Sequence, residues 1–308
     1  MSKFPEFSWS YSRHSCFEDC QLKYYYHYYL SHGGWLFNSA TPESAAAYRL
    51  KQITNLYLVF GESLHKAAEK LIERISRKQS LPDSDAVQRV IRNDLNRAYA
   101  ESLDPQRWQQ QPKQRIMLHE LYYEGALSEK AISTMTERRK ACADRLLASK
   151  TLQELLHEER AEILEVEKLN TQLIHETKTY VKMDLLYRLG DQYVIADWKT
   201  GKENQGHEIQ LLQYASYVSE HYGVPAENIV IRLEYLLGGN HEEMYVEAGF
   251  EEKMNDFIGE SLHWMKAKLD DDYFNKAKPM EHFESARSPF LCKSCNFKQI
   301  CNRSLAVS

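Results

Sequence analysis

The stretch that decides the fold is "VKMDLLYRLGDQYVIADWKTG", Val181 to Gly201. It holds two apolar-rich runs separated by Gly190-Asp191, a turn signal. "TKTYVKMDLLYRL" and "DQYVIADWKT" therefore read as the arms of a β-hairpin or meander. Asp197 and Lys199 stand two apart on the second arm, so both side chains leave the same face of the strand. Trp198 points the other way, toward a core. The strand stops at Thr200-Gly201, so it delivers a carboxylate and an amine at its C-terminal end. Asp184 lies on the preceding arm, and pairing of the two strands would bring it to Asp197. Two facing carboxylates repel unless positive charge sits between them. A hard divalent cation with oxygen ligands, Mg2+ or Mn2+, supplies it. A neighbouring lysine can then hold a phosphate oxygen or position water. By itself a D-x-K on a strand is more often a solvated ion pair.

Outward from this hairpin the texture is helical on the N-terminal side. "YLVFGESLHKAAEKLIERISRK" (Tyr57 to Lys78) has apolar residues at helical spacing, and "LPDSDAVQRVIRNDLNRAYAESL" follows with a Pro/Asp/Ser start. Helical patterning continues from about Gln114 to Glu159. "EILEVEKL" (Glu162 to Leu169) alternates like a half-buried strand, with Glu165 and Glu167 sharing one face. These two could belong to the outer surroundings of a metal site, although a solvated strand face is the commoner case. C-terminal to the hairpin come a helix, "GHEIQLLQYASYVSEHYG", closed by Gly223; a strand, "NIVIRLEYLL"; a second strand, "EMYVEAGF"; and the helix "EEKMNDFIGESLHWMKAKLDD". The first of these helices carries Gln210 and Tyr214 at i, i+4, on one face. The order implies a mixed α/β core preceded by helices.

Composition bounds the function class. The 308 residues are 43% hydrophobic and 27% charged, as in a soluble globular protein. A net charge of −5, from 39 Lys+Arg against 44 Asp+Glu, argues against a passive nucleic-acid coat, which needs a basic surface. It leaves room for an enzyme that confines its basic groups to a groove and takes positive charge from a divalent metal. The N-terminus shows no secretory h-region and no apolar run approaches a membrane span, so a cytoplasmic location without a membrane partner is expected. In that compartment the six cysteines read as thiols or metal ligands. Three of them, Cys292, Cys295 and Cys301, form a C-x2-C-x5-C in "SPFLCKSCNFKQICNR". Tetrahedral zinc and cubane iron–sulfur sites both take four ligands. Spacing alone barely separates the two.

Asp184, then D-W-K-T-G, then Q-L-L-Q-Y together resemble the RecB-like branch of the PD-(D/E)XK nuclease superfamily, with its pattern G-x-x-D…D-x-K-T-G…Q-x-x-x-Y. Asp184, Asp197, Lys199, Gln210 and Tyr214 fall on the motif's functional positions. Val181 and Lys182 stand where the family has a glycine and a basic residue. "FGESLHKAAE" matches the family's upstream G-x-x-x-H-like stretch with Gly61 and His65. The resemblance implies a restriction-endonuclease-like mixed sheet flanked by helices. It implies Mg2+ or Mn2+ held by His65, Asp184, Asp197 and a backbone carbonyl near Trp198. It also implies catalysis by Asp184, Asp197 and Lys199, with Gln210 and Tyr214 positioning the strand.

The chain is also similar to the iron–sulfur branch of that family, which includes the AddB nuclease domain and CRISPR-associated RecB-like exonucleases. Its members hold a 4Fe–4S cluster with one upstream cysteine and a C-terminal C-x2-C-x5-C. "SWSYSRHSCFEDCQLKYYYHYY" offers Cys16 and Cys20. The family's aromatic-basic continuation favours Cys20, although Gln21 replaces the usual proline. The implied set is Cys20, Cys292, Cys295 and Cys301, a structural staple joining the termini. Cys142 reads as a buried thiol. The tyrosines of "KYYYHYY" invite a base-stacking role, but packing against the cluster loop accounts for the larger share.

The expected architecture is one nuclease domain over residues 1–308, with a helical insertion over 79–160 and a cysteine-rich cluster loop over 284–308. The implied activity is exonucleolytic hydrolysis of DNA, at single-stranded ends. RNA is not separable from DNA here. No G-x-x-x-x-G-K-[ST] motif is present, so a motor would come from a partner such as a helicase, or a CRISPR, repair or defence protein. Two other classes stand beside this reading. One is an inactive DNA-end-binding subunit, against which the intact D-W-K argues. The other is an iron–sulfur redox protein.

Overall fold

The computed structural model describes residues 4–36, 38–201 and 208–301. Gly206 and His207, where the helix after the hairpin was expected to begin, and residues 302–308 of the cysteine-rich loop lie outside the described residues.

Among the described residues nine α-helices precede the first strand: α1 (Tyr11–Asp19), α2 (Gln21–Tyr25), α3 (Pro42–Lys51), α4 (Leu56–Ser76), α5 (Ser84–Ser102), α6 (Pro105–Gln110), α7 (His119–Glu124), α8 (Glu129–Leu147) and α9 (Lys150–His157). Their starts are chemically marked. Asn55, Asp83, Ser128 and Ser149 each accept a backbone N–H with the side chain at the N-cap. After α2 the chain loosens into a π-turn over Tyr26–Leu30. Then come β1 (Ala161–Val166), β2 (Leu169–Ile174), β3 (Thr177–Lys182), β4 (Leu185–Leu189), β5 (Gln192–Lys199), α10 (Glu208–Tyr222), β6 (Ile229–Tyr235), β7 (Asn240–Tyr245), α11 (Phe250–Lys266), the short β8 (Leu269–Asp271) and β9 (Lys276–Ala277), and α12 (Pro289–Lys293).

The main sheet has the order β1-β4-β5-β6-β7. Among the described residues of this sheet only β5 and β6 run parallel, joined by α10 as the crossover, and its other pairs are antiparallel. The sheet is covered on both faces, because its central strands alternate between two cores. Val194, Ala196 and Trp198 pack with α4, α5, α8 and α9, whereas Ile195, Ile229 and Ile231 pack with α10, α11 and the N-terminal helices. Residues i and i+2 share a face. Asp197 and Lys199 therefore belong to the α10 side, as the alternation in "YVIADWK" predicts.

Three expectations are corrected. "TKTYVKMDLLYRL" is not one strand: it breaks at Met183-Asp184, and β3 leaves the main sheet to pair with β2, a strand the sequence reading did not place. Asp184 accordingly sits at the break before β4 rather than on a strand. Glu165 and Glu167 do not share a strand face. The β1–β4 register shifts between Ile163 and Glu165, β1 ends at Val166, and Glu167 adopts a left-handed conformation with φ +49°.

The N-terminal segment is woven into the far end of the chain. Trp9 bridges to β3, its N–H donating to the Lys178 carbonyl and its carbonyl accepting from the Tyr180 N–H. Its indole N–H donates to Ser261 Oγ at 2.9 Å. The Leu22 N–H donates to the Glu284 carbonyl, and the Glu284 N–H donates to Gln21 Oε1.

Candidate functional site

β4 and β5 pair with Leu185 opposite Ala196, so the residue before β4 lies beside the end of β5. The Trp198 N–H donates to Asp184 Oδ2 at 2.8 Å and fixes that carboxylate across the hairpin. Its other oxygen, Oδ1, lies 3.2 Å from His65 Nδ1, reached from the third turn of α4. Glu167 arrives from the opposite side. Its left-handed backbone is held by an N–H bond to the Asp184 carbonyl, and its Oε1 lies 3.3 Å from the same His65 nitrogen. Lys182 neutralises its other oxygen at 2.5 Å. Beside this group, Asp197 is almost fully buried, and its Oδ2 pairs with Lys199 Nζ at 2.8 Å. That contact is an ion pair by distance only, since Oδ2 has no hydrogen-bond partner of good geometry.

The electrostatics are those of acids crowded out of water. Burial, and then the charge of Asp197, push the Asp184 carboxyl up to about 6. Burial opposes a charged His65, but hydrogen bonds to Asp184 and Glu167 prevail and raise it to about 10. Burial also opposes ionisation of Glu167, yet its bonds to His65 and Lys182 hold it below the usual carboxylate range. Burial and the two aspartates push the Tyr214 phenol well above its ordinary value. Tyr214 is therefore a standing donor at neutral pH, and its oxygen accepts from Gln210 Nε2 at 2.7 Å.

His65, Lys182, Asp184, Asp197, Lys199, Gln210 and Tyr214 line one cavity of about 670 Å³, together with Tyr180 of β3 and Ser10 and Tyr11 at the start of α1, while Glu167 stands behind His65 and Lys182. All six candidates, His65, Asp184, Asp197, Lys199, Gln210 and Tyr214, border it. His65, Glu167 and Asp184 present ligand atoms within 4.8 Å of one another, a spacing suited to one cation. A nitrogen and two carboxylates around a point, with a further buried carboxylate oxygen lacking a good donor, fit a hard divalent ion. Glu167 thus takes a place that the sequence reading left to the outer surroundings or to solvent.

The matched family fits this geometry. The model of the PD-(D/E)XK nuclease superfamily matches residues 8–302. The chain belongs to the PD-(D/E)XK nuclease superfamily. Members of this superfamily are typically metal-dependent nucleases that use Mg2+ or Mn2+. No curated protein matches the chain. A solved structure described as "Crystal structure of SSO0001" is 17% identical over 57% of this chain and 81% of its own, with a TM-score of 0.29. A likeness that weak assigns neither fold nor activity. Among the described residues of this PD-(D/E)XK protein, no helix is long and apolar enough to cross a membrane.

A second constellation lies away from the sheet. Cys20 is the hinge between α1 and α2, and its Sγ accepts the Lys23 N–H at 3.4 Å. Cys20, Cys292, Cys295 and Cys301 line one small cavity of about 50 Å³, and Cys16 does not border it. Burial pushes the Cys16 thiol up to about 12 and raises the Cys295 thiol as well, so it is the lining of the cavity that sets Cys16 apart from the other four. Cys142 is fully buried in the helical core, its thiol pushed up to about 11 by burial. Tyr24 and Tyr26 are buried, and Tyr25 and Tyr26 pack on Phe283 and Phe297 of the C-terminal segment at 4.9 and 5.5 Å. This part of the tyrosine run serves packing.

Proposed function

We propose that this protein is a divalent-metal-dependent exonuclease that hydrolyses phosphodiester bonds of single-stranded DNA ends, stabilised by a 4Fe–4S cluster. The observation that carries the reading is the convergence of His65, Glu167, Asp184, Asp197 and Lys199 at the C-terminal end of the central strand β5, with His65 and Glu167 102 residues apart in sequence.

In this reading His65, Glu167, Asp184 and Asp197 hold the cation. A bound Mg2+ or Mn2+ supplies Lewis acidity toward the phosphate and makes water a competent nucleophile near neutral pH. The Trp198 N–H and His65 keep the Asp184 carboxylate aimed into the cavity. Lys199, largely buried beside Asp197, faces the cavity with a positive charge for the phosphoryl oxygens or the attacking water. Tyr214 donates its proton toward a substrate oxygen, with Gln210 fixing the phenol. A cavity of about 670 Å³ is the size of a small-molecule site. It suits a few nucleotides of one strand and is too small for a turn of duplex.

The four thiols that line one small cavity, Cys20, Cys292, Cys295 and Cys301, are the residues that would hold the cluster.

The test is a cleavage assay on end-labelled DNA and RNA strands with Mg2+ or Mn2+, with iron quantified in the same preparation. Metal-dependent shortening of single-stranded DNA from its ends is expected, with Asp197→Asn inactive. Cleavage that persists in Asp197→Asn with EDTA present refutes the mechanism.

A further inference from the structure

The β2–β3 ribbon buries Ile174, Thr177, Thr179 and Val181 on its inner face, yet two leucines of β2 stand on its outer face. Its inner face carries the polar Asn170 and Gln172, which donate to Glu165 and to Ser216 and Glu220. Its outer face pairs Leu169 with Lys182, Thr171 with Tyr180 and Leu173 with Lys178. Leu169 and Leu173 are 62% and 75% exposed, large values for leucines in a strand. The strip begins inside the acidic cavity, which Leu169, Lys182 and Tyr180 line, and leaves it toward Lys178. Lys182 at its inner end bonds Glu167, and Lys178 at its outer end lies 5.3 Å from the Tyr180 ring.

We infer that this outer face is the track of the single strand whose terminal phosphodiester occupies the cavity, with Tyr180 as a base-stacking platform and Lys178 as a phosphate contact. The inference rests on the nuclease reading above. Three observations select a nucleic-acid strand as the occupant. Alternate residues of a strand stand about 6.8 Å apart, a spacing comparable to that of successive phosphates in an extended single strand. Lysine, tyrosine and lysine therefore repeat in step with a backbone and its bases. Exposed apolar and aromatic groups flanked by amines are what sequence-tolerant strand binding uses. The strip is also continuous with the cavity that would hold the scissile bond, and its length of about 14 Å from Lys178 to Lys182 carries the strand beyond it.

Glu6 gives the inference a signed test. Its carboxylate pairs with Lys178 at 3.4 Å, both groups being partly or largely exposed. A phosphate must compete with Glu6 for that amine. Binding of a fluorescent oligothymidylate of about 12 nucleotides is measured with Ca2+ in place of Mg2+, across a salt series. Lys178→Ala should weaken binding and lower the salt slope by about 0.7. Tyr180→Ala should weaken it by about fivefold to a hundredfold, with Tyr180→Phe restoring most of the loss and guarding against a folding defect. Glu6→Gln should tighten binding. On a trinucleotide, too short to reach Lys178, the Lys178 and Glu6 variants should match the parent. Unchanged affinity of the longer strand in both Lys178→Ala and Glu6→Gln overturns the track. So does a loss in Lys178→Ala that is equally large on the trinucleotide. A parent protein that binds strands but cleaves none with Mg2+ or Mn2+ fails the nuclease reading alone, and the binding series still judges the track.

Discussion

Replacing Glu167 with glutamine is the sharpest probe of the acidic centre. The substitution keeps the length of the side chain and removes its charge. Oε1 of Glu167 shares His65 Nδ1 with Asp184, at 3.3 and 3.2 Å, so it occupies one corner of the group that would hold a cation. Groups that merely orient metal ligands are worth about 10–100-fold in metal affinity. A carboxylate in direct contact belongs at the upper end, about 100-fold or ~2.7 kcal/mol. Calorimetric titration with Mn2+ should therefore show binding about 100-fold weaker in Glu167→Gln, with cleavage partly restored by excess Mn2+. The backbone predicts a second effect. A non-glycine residue at φ +49° sits in a conformation that costs about 1–2 kcal/mol. Glu167→Gly relieves that cost while deleting the carboxylate, so its melting temperature should stay near that of the parent as Mn2+ affinity falls. Wild-type Mn2+ affinity in Glu167→Gln would show that the residue is a bystander to the cation.

Other outcomes follow from the same geometry. Cys20→Ser should lower bound iron and melting temperature together, whereas Cys16→Ser, outside the thiol cavity, should keep both; iron quantification and thermal melting decide. Gly61→Ala should stabilise α4 by about 1 kcal/mol, because the added methyl meets nothing closer than Thr200 Oγ1 at 3.7 Å; a lower midpoint in urea would refute this. Glu165 is buried, which opposes its ionisation, but bonds from Lys168, Tyr217, Tyr222 and Asn170 hold it below the usual carboxylate range. A depressed carboxyl contributes stability that is present above the unfolded-state value, about 4.3, and is lost as pH falls through the folded-state value. Glu165→Gln should therefore lower stability at pH 7 and flatten its decline below about pH 4.5, read by urea melts across that range.

What the sequence discloses and what it hides divide along one physical line. Asp197 and Lys199 are legible because strand alternation is a strict period of two, and Gln210 and Tyr214 because a helix repeats at i, i+4. The cross-chain convergence of Cys20 with the C-terminal thiols has no local signal and follows only from the family pattern. Glu167 is hidden because a register shift and a left-handed residue break the alternation just where it matters. The break at Asp184 is hidden because that single aspartate stands in a run made mostly of β-branched, aromatic and apolar residues. β2 escapes notice because its leucines face outward and its amides inward, the reverse of the pattern that marks a half-buried strand.

The weave of the N-terminal segment into the end of the chain has a consequence in time. Ser10 and Tyr11 form a wall of the acidic cavity, yet Trp9 beside them is anchored on Lys178, Tyr180 and Ser261, and Leu22 on Glu284. On the ribosome Trp9 and Leu22 must wait for more than 150 further residues before any of these partners exists. Contacts of such long sequence separation form late. The cavity wall is made well before the residues that hold it and is among the last parts set in place. A nascent chain would then hold no finished cutting site until its C-terminal segment emerges, and an interrupted one would never acquire it.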